Sequence, residues 1–371
     1  MNTSMTKNGR LFLLLATAGL LSLSACKKDQ LPEIQPSALT TTGVYVLNEG
    51  AYSAGGPSTI SYYQIGTKKL DNDYFRTQNG IALGANANDL KQYGSKMYCV
   101  ITGTTASAKD SYLEVISIAT GKSLKRIPFS DDKGGYMPRN IVFNKNKAYI
   151  SGYDGKLTKL DTASLTIDSR LLVGGALEQL AIVNNKIYVT NSMHIFFPSP
   201  TNSSVSVVDL NTFSKLKEIT TALNPTAIFA TSTGDLFVQT SGQYPNIPRA
   251  IDRLNSISDT NIGTGSDLGL AFLSITGTTG FAIGYNPALY IKSFNTTTGA
   301  LGNDLITDGT ATSIASAYSV TLNPLDNTFY VTDGKDYTNA GAISCYTKAG
   351  KQLFSFATGA VPKMAVFQYG Y

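Results

Sequence analysis

His194 is the only histidine in 371 residues, and that narrows the chemistry available to the chain. A Ser-His-Asp hydrolase would have to use it, and a zinc site could draw on one imidazole only. The adjacent carboxylates Asp131 and Asp132 lie in "SDDKGG", a turn composition, so they read as loop caps and not as a paired acid and base. The glycine pairs in "GGPS" and "VGGA" lack the strand-to-helix context that a phosphate cradle requires. Cys99 in "KMYCVIT" and Cys345 in "AISCYT" sit inside strand-like runs, which suits small buried apolar residues better than a disulfide or metal ligands.

Cys26 has a different setting. Lys7 and Arg10 precede an apolar run from Leu11 to Leu23 that is too short and too rich in small residues to span a bilayer. The run ends in Leu23, Ser24, Ala25 and Cys26, a sequence that resembles the bacterial lipobox, where the leader is cut before a cysteine whose thiol is diacylated. The expectation is a leader over residues 1–25 and lipidation at Cys26, with palmitate-type chains. At about 0.8 kcal/mol per buried methylene, two or three chains anchor a protein permanently to a membrane. Residues 26–42 carry two prolines and little to bury, and read as a flexible tether, with the folded domain over 43–371. An outer-membrane address follows as an expectation, with the cell-surface face favoured and the periplasmic face open, because Asp29 is the only acid in the immediate run after the cysteine.

The elements that must position any site are strands. Removing the leader takes the formal charge from +5 to +3, with both signs scattered and no basic block, so nothing points to nucleic acid. Charged residues make up 15% of the chain, while Gly, Thr, Ser, Asn and Tyr abound, which is the make-up of many short strands joined by turns. One unit recurs: a short apolar strand, a turn rich in Asn, Gly or Lys, an "IYVT"-like strand, a variable loop, a "VSVVDLNT"-like strand and a fourth strand. Its clearest copy runs from Gln179 to Ile219. Six copies are complete, beginning with "NDLKQYGSKMYCVIT" and ending with "SVTLNPLDNTFYVTD" and "AISCYTKAGKQLFSF".

The seventh copy is split between the ends. The domain opens on the second-strand motif "VYVLNEG", followed by "STISYYQIGTKKLDNDYF", with no first strand before it. That strand is found as "KMAVFQ", Lys363 to Gln368. An all-β, seven-bladed β-propeller closed by the C-terminal strand is therefore expected, with Met364–Phe367 beside Val44–Leu47. Asp161, Asp209 and Asn295, each just after a third strand, read as turn residues whose side chains bond the backbone two residues on.

With the repeat located, "GVYVLNEGAYSAGGPSTISYY" and the recurrent "IYVTN…VSVVDLNT" resemble the YncE-type propellers, in particular the lipoprotein branch carrying the domain DUF5074. The resemblance covers Gly43 to Tyr371 and rests on blade-building residues. In that branch lie BtuG-type surface lipoproteins, which bind cobalamin above the outer-membrane transporter that imports it. The resemblance implies cobalamin as a candidate ligand and assigns no binding residue.

In a four-stranded blade the lead-in to the inner strand and the loop between the second and third strands share one end of the ring. The lead-ins supply Asn88, Asp89, Arg139, Asn140, Glu178, Gln179, Asp267 and Tyr318, together with Asn224 and Lys363. The loops supply Asn48, Glu49, Tyr52, Tyr153, Asp154, Asn191, His194, Phe196, Phe197, Tyr244, Tyr285, Asp333 and Tyr337. Aromatic, acidic and amide groups on long loops suit a large, polar and partly planar ligand. The favoured reading is a non-catalytic lipoprotein that needs no cofactor, captures a nutrient, a corrinoid among the candidates, and passes it to a TonB-dependent transporter. Three alternatives stay open: a glycan binder, which the absence of Trp disfavours; a protein-docking scaffold; and a metal-dependent propeller enzyme, in which Asp89, Asn140, Glu178 and Asp267 could ring a calcium ion.

Overall fold

Residues 40–370 form seven four-stranded antiparallel sheets in chain order, with one exception at the ends. The computed structural model describes residues 38–51, 56–194, 202–243, 245–266, 269–285 and 288–371. Cys26, Tyr52, Phe196, Phe197, Tyr244 and Asp267 lie outside the described residues.

Blade 1 combines Thr40–Asn48, Thr59–Gln64 and Lys69–Asp71 with the C-terminal strand Pro362–Gly370. Val44 pairs with Phe367, Tyr45 with Val366, Val46 with Ala365 and Leu47 with Met364, the register expected from the split repeat. Blades 2 to 7 begin with the strands Ala87–Tyr93, Pro138–Asn144, Ala176–Val183, Pro225–Ala230, Leu270–Thr276 and Ala317–Leu322. These strands and Pro362–Gly370 each contact the next around the axis, so the ring is closed.

The repeated second strand explains what holds the blades together. Its second core position is aromatic in every copy: Tyr45, Tyr98, Tyr149, Tyr188, Phe237, Phe281 and Tyr330, all at most 4% exposed. Each reaches forward into the following blade. The Tyr45 hydroxyl donates to the Ile118 carbonyl at 2.7 Å, and that of Tyr188 to the Ser256 carbonyl at 3.1 Å and to the Asp259 carboxylate. The rings of Tyr98, Tyr149, Phe237, Phe281 and Tyr330 meet those of Phe143, Phe213, Phe294, Phe329 and Phe367, with centroids 4.9 to 6.0 Å apart. The apolar core is accordingly divided among the seams: seven large clusters, each built from two adjacent blades. Cys99 and Cys345 belong to two of these clusters as free thiols, and burial pushes the Cys345 thiol up to about 11.

Turn chemistry follows the sequence. Asp161 accepts the backbone N–H groups of Ala163 and Ser164, Asp209 those of Asn211 and Thr212, and Asn295 those of Thr297 and Thr298. Asp131 does the same for Lys133 and Gly134, as a turn residue should. Two short helical elements depart from the strand pattern among the described residues, the 3-10 turn Thr310–Ser313 and a helix between blades 1 and 2. Tyr74–Asn79 is a six-residue helix in the connection from blade 1 to blade 2, with Phe75 buried and Gly80 ending it at φ 71°. So short a helix is held by packing against its blade and not by its own propensity.

If the forward-reaching aromatics fasten the ring, Tyr188→Phe should lose about 1–2 kcal/mol through its hydroxyl bonds, and Tyr188→Ala about 4 kcal/mol. Urea unfolding monitored by circular dichroism measures both; equal stability of the two variants would contradict the assignment.

Candidate ligand-binding mouth

Every inner strand breaks register with its neighbour near its first residues. In blade 2, Ala87 pairs with Ile101 and Asp89 with Val100, which leaves Asn88 outside the ladder. The same irregularity sets aside Arg139 and Asn140 in blade 3 and Glu178 and Gln179 in blade 4. It sets aside Thr226, Ala271 and Tyr318 in blades 5 to 7, and Lys363 in the C-terminal strand of blade 1. A bulge bends the strand and re-aims the side chain it carries. Seven bulges at one end of a closed ring therefore present Lys363, Asn88, Arg139, Glu178, Thr226, Ala271 and Tyr318 around one mouth.

Five of these residues form a chain of polar contacts that crosses blade boundaries. The Tyr318 hydroxyl donates to Glu49 Oε2 at 2.9 Å, and Lys363 Nζ donates to Glu49 Oε1 at 2.5 Å. Lys363 also donates to Asn88 Oδ1 at 2.9 Å, and Asn88 Nδ2 donates to the Arg139 carbonyl at 2.5 Å. Arg139 Nε donates to Glu178 Oε2 at 2.9 Å, while the Tyr153 hydroxyl donates to Glu178 Oε1 at 2.6 Å. The Arg139 guanidinium lies 4.6 Å from the centre of the Tyr153 ring, and His194 stacks on the same ring at 4.0 Å. The result is two matching sets, each a cation, a glutamate and a tyrosine: Lys363–Glu49–Tyr318 and Arg139–Glu178–Tyr153.

Electrostatics tighten both sets. Burial acts to raise the Glu49 carboxyl, but the Lys363 charge, the Lys363 hydrogen bond and the Tyr318 hydroxyl outweigh it and hold the group below the usual carboxylate range. Burial acts to lower Arg139, and Glu178 reverses that. Both Tyr153 and Tyr318 are pushed up, first by burial and then by the glutamates they contact, so their protons stay in place. Burial and the Arg139 charge lower His194, which leaves it neutral near pH 7.

The remaining candidates divide into those beside the mouth and those that fasten blades. Tyr285 donates to the Ala317 carbonyl at 2.6 Å, and Tyr337 meets Tyr318 edge-on at 5.9 Å; both are more than a third exposed. Asp333 accepts the N–H groups of Ala315, Ser316 and Lys335 and so ties two loops together. Asp89 accepts the Ile141 N–H at 3.0 Å and lies 3.4 Å from Lys91. Asp154 pairs at 2.7 Å with Arg170 of the outer strand Thr166–Leu172, on the far side of the blade from the mouth. Asn48 and Asn191 are fully buried at equivalent positions of blades 1 and 4, each donating to two hydroxyls, Thr59 and Ser61 or Ser204 and Ser206. Gly174 is required beside the second of them, because a Cβ there would fall 1.9 Å from Asn191 Oδ1. Asn140 and Gln179 sit in their bulges with backbone bonds to Ser151 and Thr190. Among the described residues, no three His, Cys, Asp or Glu groups cluster as metal ligands.

Blades 5 and 6 differ from the rest, since their bulges carry only Thr226 and Ala271. Phe272, which follows Ala271, packs edge-on against Tyr318 at 4.9 Å. Gln239 and Arg249 cap the Ala271 and Leu270 carbonyls at 2.8 and 3.2 Å, and Met193 is about half exposed beside Asn224. Among the described residues, the bulge positions thus carry charged or hydrogen-bonding side chains over blades 7, 1, 2, 3 and 4, and the small side chains Thr226 and Ala271 over blades 5 and 6.

Glu49 should make the fold acid-sensitive. A carboxyl lowered in the folded state stabilises it above the unfolded value, and that contribution is lost as pH falls through the folded value. Glu49→Gln should cost about 2 kcal/mol at neutral pH, and the gap to the parent protein should shrink on acidification to about pH 3. Thermal melts of both proteins across that range measure it; a gap independent of pH would contradict the pairing.

Comparison with known proteins bears on the fold. No curated protein matches the sequence. A quinonprotein alcohol dehydrogenase-like protein from Bacteroides thetaiotaomicron superposes with a TM-score of 0.62 at 15% identity, over 89% of this chain and 79% of that one. The dihydro-heme d1 dehydrogenase NirN superposes with a TM-score of 0.55 at 11% identity, over 91% of this chain and 77% of that one. Such low identities carry the fold alone. Residues 42–264 match the family described as Domain of unknown function (DUF5074), and the chain belongs to that family as a seven-bladed β-propeller.

Proposed function

We propose that this chain is a non-catalytic binding protein, lipid-anchored through Cys26 at the outer membrane, that captures a nutrient at the mouth described above and passes it to a TonB-dependent transporter. The observation that carries the reading is the ring of bulges, which holds polar side chains in place on a rigid scaffold before any ligand arrives. Groups already ordered by ion pairs and blade packing lose little freedom on binding, so affinity does not require chemistry or closure. The polar arc over blades 7 to 4, with small side chains at the bulges of blades 5 and 6 and Phe272 beside them, suits one ligand with both a polar and a planar apolar part. A corrinoid is the first such ligand to test, because the lipoprotein branch that the sequence resembles includes cobalamin binders. The tyrosines of the two sets keep their protons and His194 is neutral and stacked, an arrangement that suits contact better than proton transfer.

The test is a thermal-shift and calorimetry screen of residues 26–371 against cobalamin, cobinamide, oligosaccharides and calcium. A corrinoid alone should raise the melting temperature, and Thr226→Trp, which sets a large ring at the blade 5 bulge, should weaken its binding at least about tenfold without lowering stability. A shift with oligosaccharides alone, or turnover with calcium, would replace this reading. Cys26→Ala should abolish labelling by radioactive palmitate and release the protein from membranes; retained labelling would contradict the anchor.

A further inference from the structure

Apart from the C-terminal Tyr371, every Phe and Tyr among the described residues is buried or half-buried except two, Tyr285 and Tyr337, which are 39% and 38% exposed. They stand in the loops that follow the second strands of blades 6 and 7, at the mouth end of the ring. The two are neighbours: burial first, and then Tyr337 beside it, pushes the Tyr285 hydroxyl up.

Tyr337 holds its place against a backbone preference. Its φ is 59°, in the left-handed region, where a residue with a Cβ is strained and Gly or Asn is the usual occupant. Its N–H donates to the Gly334 carbonyl at 2.8 Å, which closes a tight turn. The ring lies so close over Gly334 that a Cβ there would fall 3.0 Å from Tyr337 Cε1. Phe213 is also left-handed, at φ 51°, but it is buried in a seam against Tyr149, so packing accounts for it. No such burial accounts for Tyr337.

Both rings are ordered in advance. Asp333 accepts the N–H groups of Ala315, Ser316 and Lys335, and Asp336 those of Thr338 and Asn339, so the loop carrying Tyr337 is pinned on either side. Tyr285 is held by its bond to the Ala317 carbonyl. Tyr337 meets Tyr318, the bulge residue of blade 7, and Phe272 packs on the same ring, so the exposed pair borders the mouth.

We infer that Tyr285 and Tyr337 form a stacking platform for a flat, conjugated ring of the ligand. Resting on the capture reading, this places the planar part of the ligand over blades 6 and 7. Conjugated rings meet tyrosine offset-stacked or edge-on and gain more than the buried area alone supplies, whereas a saturated ring gains only the area. Rings fixed before binding lose little freedom when the ligand arrives.

Caffeine, flat and uncharged, tests this on residues 26–371 by ligand-observed NMR, with cyclohexanol and methyl β-glucoside as saturated rings. Caffeine should bind saturably and more tightly than either. Tyr337→Gly and Tyr337→Asn, which suit the left-handed backbone, should each weaken caffeine at least about tenfold while melting no lower than the parent. Tyr337→Phe, which keeps the ring, should hold the affinity within about twofold. Silence of caffeine up to about 20 mM, a saturated ring bound as tightly as caffeine, or unchanged affinity in both left-handed variants would overturn the inference. A melting temperature lowered in both would give the ring a structural role and overturn it as well. A ligand found in the screen whose affinity is untouched by Tyr337→Gly, with caffeine silent, would sink the platform and leave capture standing. Caffeine bound at Tyr337 with no ligand from the screen would sink capture instead.

Discussion

A sheet whose two faces are both apolar cannot exist alone in water, and every other feature of this chain follows from how that constraint is met. Each blade covers its neighbour, so the core is distributed over seven seams, and a gap anywhere would expose two of them. The forward-reaching aromatic of each second strand supplies much of the contact, at about 2 kcal/mol of transfer free energy for each buried ring. In blade 1 the innermost place is taken by Pro362–Gly370, which pairs with Thr40–Asn48. Closure also removes the unpaired inner edge that Thr40–Asn48 would otherwise present.

Closure and site are linked because the closing strand brings Lys363 with it. That lysine reaches Glu49 on the neighbouring strand and Asn88 on the next blade, so the polar chain around the mouth crosses the point where the two ends of the polypeptide meet. A rigid ring lets bulges serve as fixed mounts: one irregular residue near the start of each inner strand turns a side chain away from the ladder without disturbing the strand beyond it. Sequence variation at seven positions can then change what the mouth carries while the seams stay the same. This chain places charge on one side of the ring and small residues on the other.

Much of this was legible in the sequence because propeller blades repeat. The "IYVT" and "VSVVDLNT" runs locate second and third strands, and the split copy gives the C-terminal pairing to the residue, Val44 with Phe367 through Leu47 with Met364. The end of the ring that carries the lead-ins and loops was also readable, since it follows from strand order. What could not be read was direction within that end. Asn48, Asn191 and Asp333 look like loop polar groups in sequence, yet they face inward and fasten strands, because their neighbours are Ser, Thr and glycine residues that only the fold brings close. Asp154 looks equivalent to Tyr153 but points to the outer strand. Thr226, Ala271 and Phe272 were passed over because small and apolar residues advertise no chemistry. Aligning the seven repeats on their bulges would have found the first two, at the position occupied elsewhere by Arg139, Glu178 and Lys363.

The most direct test is hydrogen exchange measured by mass spectrometry, with and without the ligand that raises the melting temperature. If the ligand seats on the bulges, slowing should be confined to peptides containing residues 86–90, 138–142, 176–180, 225–227, 270–272, 317–319 and 362–364, with the turns at the opposite end, such as 93–96 and 183–186, unchanged. Slowing at those opposite turns with the bulge peptides unaffected would show that the ligand sits elsewhere and that the mouth is only a structural fastening.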